Sequence, residues 1–124
     1  MSKRVLIVDD EPNIVISLEY LVKREGYEAA IAPDGEAALA ALAEQTPDLV
    51  VLDVMLPKMN GFELCERIRA DPRWRDTKIL MLTARGRETE VARGLRLGAD
   101  AYVTKPFSTK DLVAQMNELL GMRR

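Results

Sequence analysis

Leu49-Val50-Val51-Leu52, followed by Asp53, narrows what this chain can fold into more than any other stretch. A strand with one face in water alternates apolar and polar residues. Four apolar residues in a row need cover on both faces, the condition of a strand inside a parallel sheet. The run then meets a carboxylate and enters the turn-rich segment Met55-Leu56-Pro57-Lys58-Met59-Asn60-Gly61. In open parallel α/β sheets, ligands bind outside the carboxyl ends of the strands. Asp53 is therefore expected at a binding edge, on the tip of a middle strand.

The rest of the chain supplies partners for that strand. Val5-Leu6-Ile7-Val8 reads as a buried first strand, ending in Asp9-Asp10-Glu11. Pro12 suits the first turn of a helix, and acids suit its N-terminus. Ile14, Leu18, Leu21 and Val22 recur at helical spacing, and Gly26 closes that helix. Residues 27–31 read as an edge strand, and 36–45 as an Ala-rich helix. Phe62, Leu64, Cys65 and Ile68 mark a third helix, stopped at Asp71-Pro72. Residues 78–82 form a fourth strand reaching Thr83. A fourth helix follows over 88–97; Gly94 inside it is expected to make it the least rigid. A fifth strand at 101–104 leads through Lys105-Pro106 to a last helix opened by Ser108-x-x-Asp111. Five strands alternating with five helices imply parallel βαβ units with right-handed crossovers. The sequence reads as one domain over 1–124, with no output domain in this chain.

Composition excludes several function classes. The net charge of -2 gives no basic footprint for direct nucleic-acid binding. No run approaches the roughly 18 apolar residues of a membrane span. The single cysteine forbids an internal disulfide, and the first residues lead straight into a strand, so a cytoplasmic location is expected. The chain has no histidine, so it cannot pass a phosphoryl group through one of its own. With no Cys/His cluster, any metal is expected to be a hard cation held by oxygen, Mg²⁺ or Mn²⁺.

If the first and third strands are neighbours, Asp9, Asp10 and Asp53 meet. Strand ends lie about 5 Å apart, where two unit negative charges repel by roughly 3 kcal/mol at an effective dielectric near 20. Such a knot needs counter-charge, from a divalent ion and from Lys105. Acids merely capping a helix are the plainer alternative for Asp9-Asp10-Glu11. The Lys105-Pro106 bond can take the cis form, which turns the chain tightly and aims the preceding side chain. Thr83 offers a hydroxyl to a phosphate oxygen, and the small Ala84 leaves space beside it.

Taken together, Val8-Asp9-Asp10-Glu11, Leu52-Asp53-Val54-Met55-Leu56-Pro57 with Gly61, Thr83-Ala84 and Lys105-Pro106-Phe107 resemble the receiver domain of bacterial two-component response regulators, the CheY-like group. The four pieces stand in order at the ends of strands one, three, four and five. The resemblance implies a flavodoxin-like (βα)5 fold, a doubly wound three-layer sandwich around a parallel sheet of order 2-1-3-4-5. It implies that Asp53 is phosphorylated by a sensor histidine kinase or a phosphotransfer protein. It makes Asp10 and Asp53 ligands of Mg²⁺, with the Met55 backbone carbonyl as a third and Asp9 acting through water. Thr83 becomes the switch hydroxyl, Lys105 the phosphate-binding cation, and Tyr102 the aromatic that changes rotamer. Asn60 stands where an aspartate is more usual.

The same resemblance implies an unidentified output partner, controlled through the fourth helix, fifth strand and fifth helix. A phosphorylation-dependent dimer through that face is weakened by uncharged Val91 and Gln115, where arginines are expected. Val15 and Ile16 make the first helix more apolar than its inner stripe requires, which suits either kinase docking or extra core packing. Arg85, Arg87, Arg93 and Arg96 give the fourth-helix region a basic character. Rival readings lack their signatures. A haloacid-dehalogenase-type phosphatase needs an acid two residues after Asp53, where Met55 stands. A flavodoxin-like cofactor carrier needs a Ser/Thr-rich phosphate loop after the first strand, where acids stand. No G-x-G-x-x-G follows any strand. A partner-binding pseudo-receiver would lack Asp53, Asp10 or Lys105, and all three are present.

Overall fold

The computed structural model describes residues 3–84 and 88–121. The apolar run forms β3 (Leu49–Asp53), with all of its residues buried. Its neighbours are β1 (Arg4–Val8) on one side and β4 (Lys78–Ala84) on the other, with β2 (Glu28–Ala32) and β5 (Ala101–Lys105) at the edges. All pairings are parallel, in the order β2-β1-β3-β4-β5. The helices are α1 (Pro12–Arg24), α2 (Gly35–Glu44), α3 (Gly61–Ala70), α4 (Glu88–Arg96) and α5 (Thr109–Leu119).

The period of two along each strand divides the core into two layers. Val50 and Leu52 of β3 pack with Ala38 and Leu42 of α2 and with Phe62, Leu64, Cys65 and Ile68 of α3. Leu49 and Val51 pack instead with Leu18, Leu21 and Val22 of α1 and Leu112 and Met116 of α5. Both faces of β3 are thus covered, which is why it carries no alternation. Each such side chain contributes about 1.5–3 kcal/mol relative to exposure. On β2, Glu28 and Ile31 are exposed, as suits an edge strand.

Some local features depart from the sequence expectation. β4 runs on to Ala84, and a 3-10 turn at Pro72–Trp74 follows α3, its Asp71 carboxylate accepting from the Arg73 N–H. Ser108 caps α5 as expected, its hydroxyl accepting from the Asp111 N–H at 3.0 Å. Asp34 and Asn60 also cap their helices, accepting from Ala37 and Glu63 at 2.8 and 2.9 Å. Asn60 therefore keeps the capping function. Glu11 stands at the N-cap of α1 but its side chain makes no cap bond there, while Asp9 Oδ1 accepts from the Glu11 N–H at 2.9 Å. Ile16 is 65% exposed, which rules out core packing as the reason for its apolar character.

Gly94 has a packing reason. A Cβ on it would lie 2.4 Å from Met81 Sδ, so α4 approaches β4 as closely as it does only through a bare backbone. At the amino end of the sheet, Arg69 ties α3 to three other segments. Its guanidinium donates to Gly98 O at 2.9 Å, Trp74 O at 3.3 Å and Asp100 Oδ2 at 2.8 Å. The same Asp100 oxygen accepts from the Ile79 N–H at 2.8 Å. Among the described residues, no helix is long and apolar enough to cross a membrane.

Candidate functional site

The register of the strands assembles the site. Val8 pairs with Leu52, so Asp9 and Asp10 leave β1 beside Asp53. Thr83 and Ala84 of β4 pair with Thr104 and Lys105 of β5. Oxygens of Asp9, Asp10 and Asp53 lie within 4.8 Å of one another, with Asp9 and Asp53 buried and Asp10 exposed. Lys105 reaches back across the strand ends. Its Nζ lies 3.1 Å from Asp9 Oδ2, 3.1 Å from Asp53 Oδ2 and 3.3 Å from Glu11 Oε1. The Lys105-Pro106 peptide is cis, as expected.

The loop after β3 holds the Asp53 end of the strand in place. The Met55 N–H donates to Asp53 Oδ1 at 3.1 Å, while the Met55 side chain is exposed. The Gly61 N–H donates to Val54 O at 2.9 Å, drawing the start of α3 against β3. A Cβ on Gly61 would lie 2.5 Å from the Asp53 carbonyl oxygen and 2.8 Å from Val54 Cα, so only glycine permits this approach.

Burial is the largest influence on Asp53 and raises its pKa above the ordinary value; the Lys105 charge and the Met55 N–H oppose it, and Asp9 adds to it. Burial also works against the Lys105 charge, but Asp53 and Asp9 outweigh it and hold the ammonium pKa above its usual value. Thr83 is buried, and its hydroxyl has no hydrogen-bond partner among the described residues. An unsatisfied buried hydroxyl costs about 1–3 kcal/mol, so Thr83 is poised to gain from an incoming acceptor. Tyr102 sits on the edge strand β5 and is 44% exposed.

The structure thus brings together Asp9, Asp10, Asp53 and Lys105, with Thr83 and Ala84 at the adjoining strand end. Tyr102 stands apart, on the outer edge. Arg85 and Arg87 lie outside the described residues. For Glu11 the sequence offered only a place among the acids at the start of α1; its contact with Lys105 was not foreseen.

Comparison with known proteins agrees with this geometry. Residues 5–117 match the family described as the response regulator receiver domain. The chain is 47% identical over 120 residues to the alkaline phosphatase synthesis transcriptional regulatory protein PhoP of Bacillus subtilis (strain 168), covering 97% of this chain and 49% of that protein. It is 45% identical over 120 residues to the DNA-binding response regulator MtrA of Mycolicibacterium smegmatis, covering 97% and 51%. The chain therefore spans about half the length of these curated relatives. Among solved structures, the chemotaxis response regulator CheY4 of Vibrio cholerae superposes with a TM-score of 0.90 at 31% identity, covering 96% of this chain and 99% of that one. The receiver domain of the sensor histidine kinase PA1611 from Pseudomonas aeruginosa PAO1 superposes with a TM-score of 0.88 at 26% identity, covering 98% and 99%; it has a magnesium ion coordinated in its active-site cleft. A parallel sheet of order 2-1-3-4-5 with acids and a lysine converging at its carboxyl edge, and a family match over nearly the whole chain, lead to one conclusion: this chain belongs to the response regulator receiver domains of two-component signalling.

Proposed function

We propose that Asp53 accepts a phosphoryl group from a phosphohistidine on a sensor histidine kinase or phosphotransfer protein. The observation that carries this reading is the buried Asp53 carboxylate held 3.1 Å from the Lys105 ammonium, within a cluster of further acids. The donor set suits Mg²⁺ or Mn²⁺, because Asp9, Asp10 and Asp53 offer only hard oxygens within 4.8 Å of one another. Asp10, Asp53 and the Met55 carbonyl would hold the ion directly, and Asp9 through water. When bound, such an ion offsets the repulsion among these acids and the charge of the arriving phosphoryl group.

The chain's own residues do the rest. An Asp53 oxygen forms the new bond to phosphorus as the phosphorus–nitrogen bond of the phosphohistidine breaks. The electron pair of that bond leaves with the imidazole nitrogen. Lys105 meets the charge on the transferring oxygens, which is the main demand in phosphoryl transfer. Thr83 then donates its hydroxyl to a phosphate oxygen. Hydrogen bonds to charged groups contribute about 1.5–3 kcal/mol, enough to move a two-state equilibrium tenfold or more. Tyr102 changes rotamer with this shift, and the α4-β5-α5 face rearranges. A hollow on that face, lined by Leu95, Tyr102, Phe107, Asp111 and Gln115 among others, is where an output partner reads the change. Hydrolysis of the acyl phosphate resets the domain, so it acts as a self-modifying acceptor and not as a multiple-turnover enzyme. The net charge of -2 supports an output other than direct nucleic-acid contact by this region.

Asp53→Asn tests this. It is expected to abolish phosphoryl incorporation from a small phosphodonor with Mg²⁺ while the fold is kept. Persistent full labelling of that variant rules out Asp53 as the acceptor.

A further inference from the structure

We infer that Glu11 is a positioning residue, the outer station to which Lys105 moves so that Asp53 can react. This rests on the reading of Asp53 as phosphoryl acceptor. Neither Asp53 oxygen is free in the resting arrangement. Oδ1 accepts from the Met55 N–H at 3.1 Å, a bond set by the backbone. Oδ2 accepts from Lys105 Nζ at 3.1 Å, a bond made by a flexible side chain. A phosphorus atom approaching Oδ2 shares that oxygen with the ammonium, whose hold on it has to loosen without the ammonium leaving the site.

The three acceptors around Lys105 form a gradient from dry to wet. The side chains of Asp9 and Asp53 are 0% and 6% exposed, whereas that of Glu11 is 60% exposed. Glu11 also stands outside the cluster of oxygens that can hold a metal. When Asp9 and Asp53 turn to other charges, their hold on the ammonium weakens. Glu11 retains it at the mouth, one short movement from the incoming phosphate oxygens. Among the described residues, Lys105 is the only side chain paired with the Glu11 carboxylate, which stands at the start of α1 yet makes no cap bond.

The experiment follows phosphorylation by acetyl phosphate with Mg²⁺ in the parent, Glu11→Gln, Lys105→Met and the double variant, and measures Mn²⁺ affinity by titration calorimetry on each. Glu11→Gln is expected to slow phosphorylation about two- to fivefold, the size of a partly exposed ion pair. The effect should vanish in the Lys105→Met background, because the two residues act through one contact. Mn²⁺ affinity should stay within about twofold. Equal slowing in both backgrounds would mean a role in helix structure alone, and a large loss of Mn²⁺ affinity would make Glu11 a metal ligand; either overturns the inference, as does unchanged phosphorylation. A second measurement needs no phosphoryl transfer. In Mg²⁺-loaded protein, proton exchange of the Lys105 ammonium with water, followed by ¹⁵N NMR, should quicken severalfold in Glu11→Gln. Unchanged exchange would refute the contact. Labelling of Asp53→Asn would instead refute the acceptor, leaving the exchange result to decide on Glu11 separately.

Discussion

Replacing Gly94 by alanine sets two effects of opposite sign against each other. Alanine is better than glycine inside a helix by about 1 kcal/mol, and somewhat less here because Gly94 lies in the last turn of α4. Against this, the new Cβ would arrive 2.4 Å from Met81 Sδ. Met81 is itself buried in the layer that holds Phe62 and Leu52, so its sulfur has little room to retreat. Overpacking of this kind costs about 1–3 kcal/mol, and the flexibility of methionine keeps it from the top of that range. The net expectation is a destabilisation of about 1 kcal/mol. Urea unfolding followed by the fluorescence of Trp74, the single buried tryptophan, measures it as a lower midpoint at unchanged slope. Met81→Val removes the offending sulfur at a cost of roughly 1–2 kcal/mol. In that background Gly94→Ala should become stabilising, by roughly 0.5–1 kcal/mol. A raised midpoint in the parent, or the same sign in both backgrounds, would refute the packing account of Gly94.

Gly61→Ala presses against backbone, which cannot move aside as a methionine can; it should cost about 3 kcal/mol in the same unfolding assay and slow labelling of Asp53. Burial pushes the Cys65 thiol up to about 11 from an ordinary 9.0, against the opposing charge of Arg69. Between those pH values the unfolded chain loses the thiol proton and the folded one keeps it, so stability falls as pH rises, by at most about 1.4 kcal/mol per unit. Cys65→Ala should remove that part of the slope, and identical slopes for the two proteins would contradict it. Arg69→Met should cost about 2 kcal/mol and speed amide exchange in residues 97–100 far more than in β1.

The fold was legible where burial is total. Every residue of β3 is buried, so its composition alone announced a central parallel strand. The strand order came only through family resemblance, because nothing in a run of apolar residues says which neighbour it takes. Asp9, Asp10, Asp53 and Lys105 could be named because strand ends converge in this topology. The contact of Glu11 with Lys105 could not, since it depends on where a long side chain swings across 94 positions of sequence. Arg69 was equally silent, its partners Gly98 and Asp100 being 29 and 31 positions away. Gly94 told only half its story: propensity describes an isolated helix, whereas the packing reason for this glycine is Met81 on another element. Tyr102 was named through the family resemblance alone; on the edge strand β5 it is half-buried, with 44% of its surface in water.

The guanidinium of Arg69 joins the end of α3, the 3-10 turn, the start of β5 and, through Asp100, the start of β4. The clustered carboxylates of Asp9, Asp10 and Asp53 lie at the opposite pole of the sheet. A domain riveted at one pole can redistribute strain only at the other, as a door moves most at the edge farthest from its hinge. On the proposed switch, displacement of α4 set off at Thr83 would therefore fade toward Gly98, and its widest travel would fall on the half of the helix nearest the acid cluster.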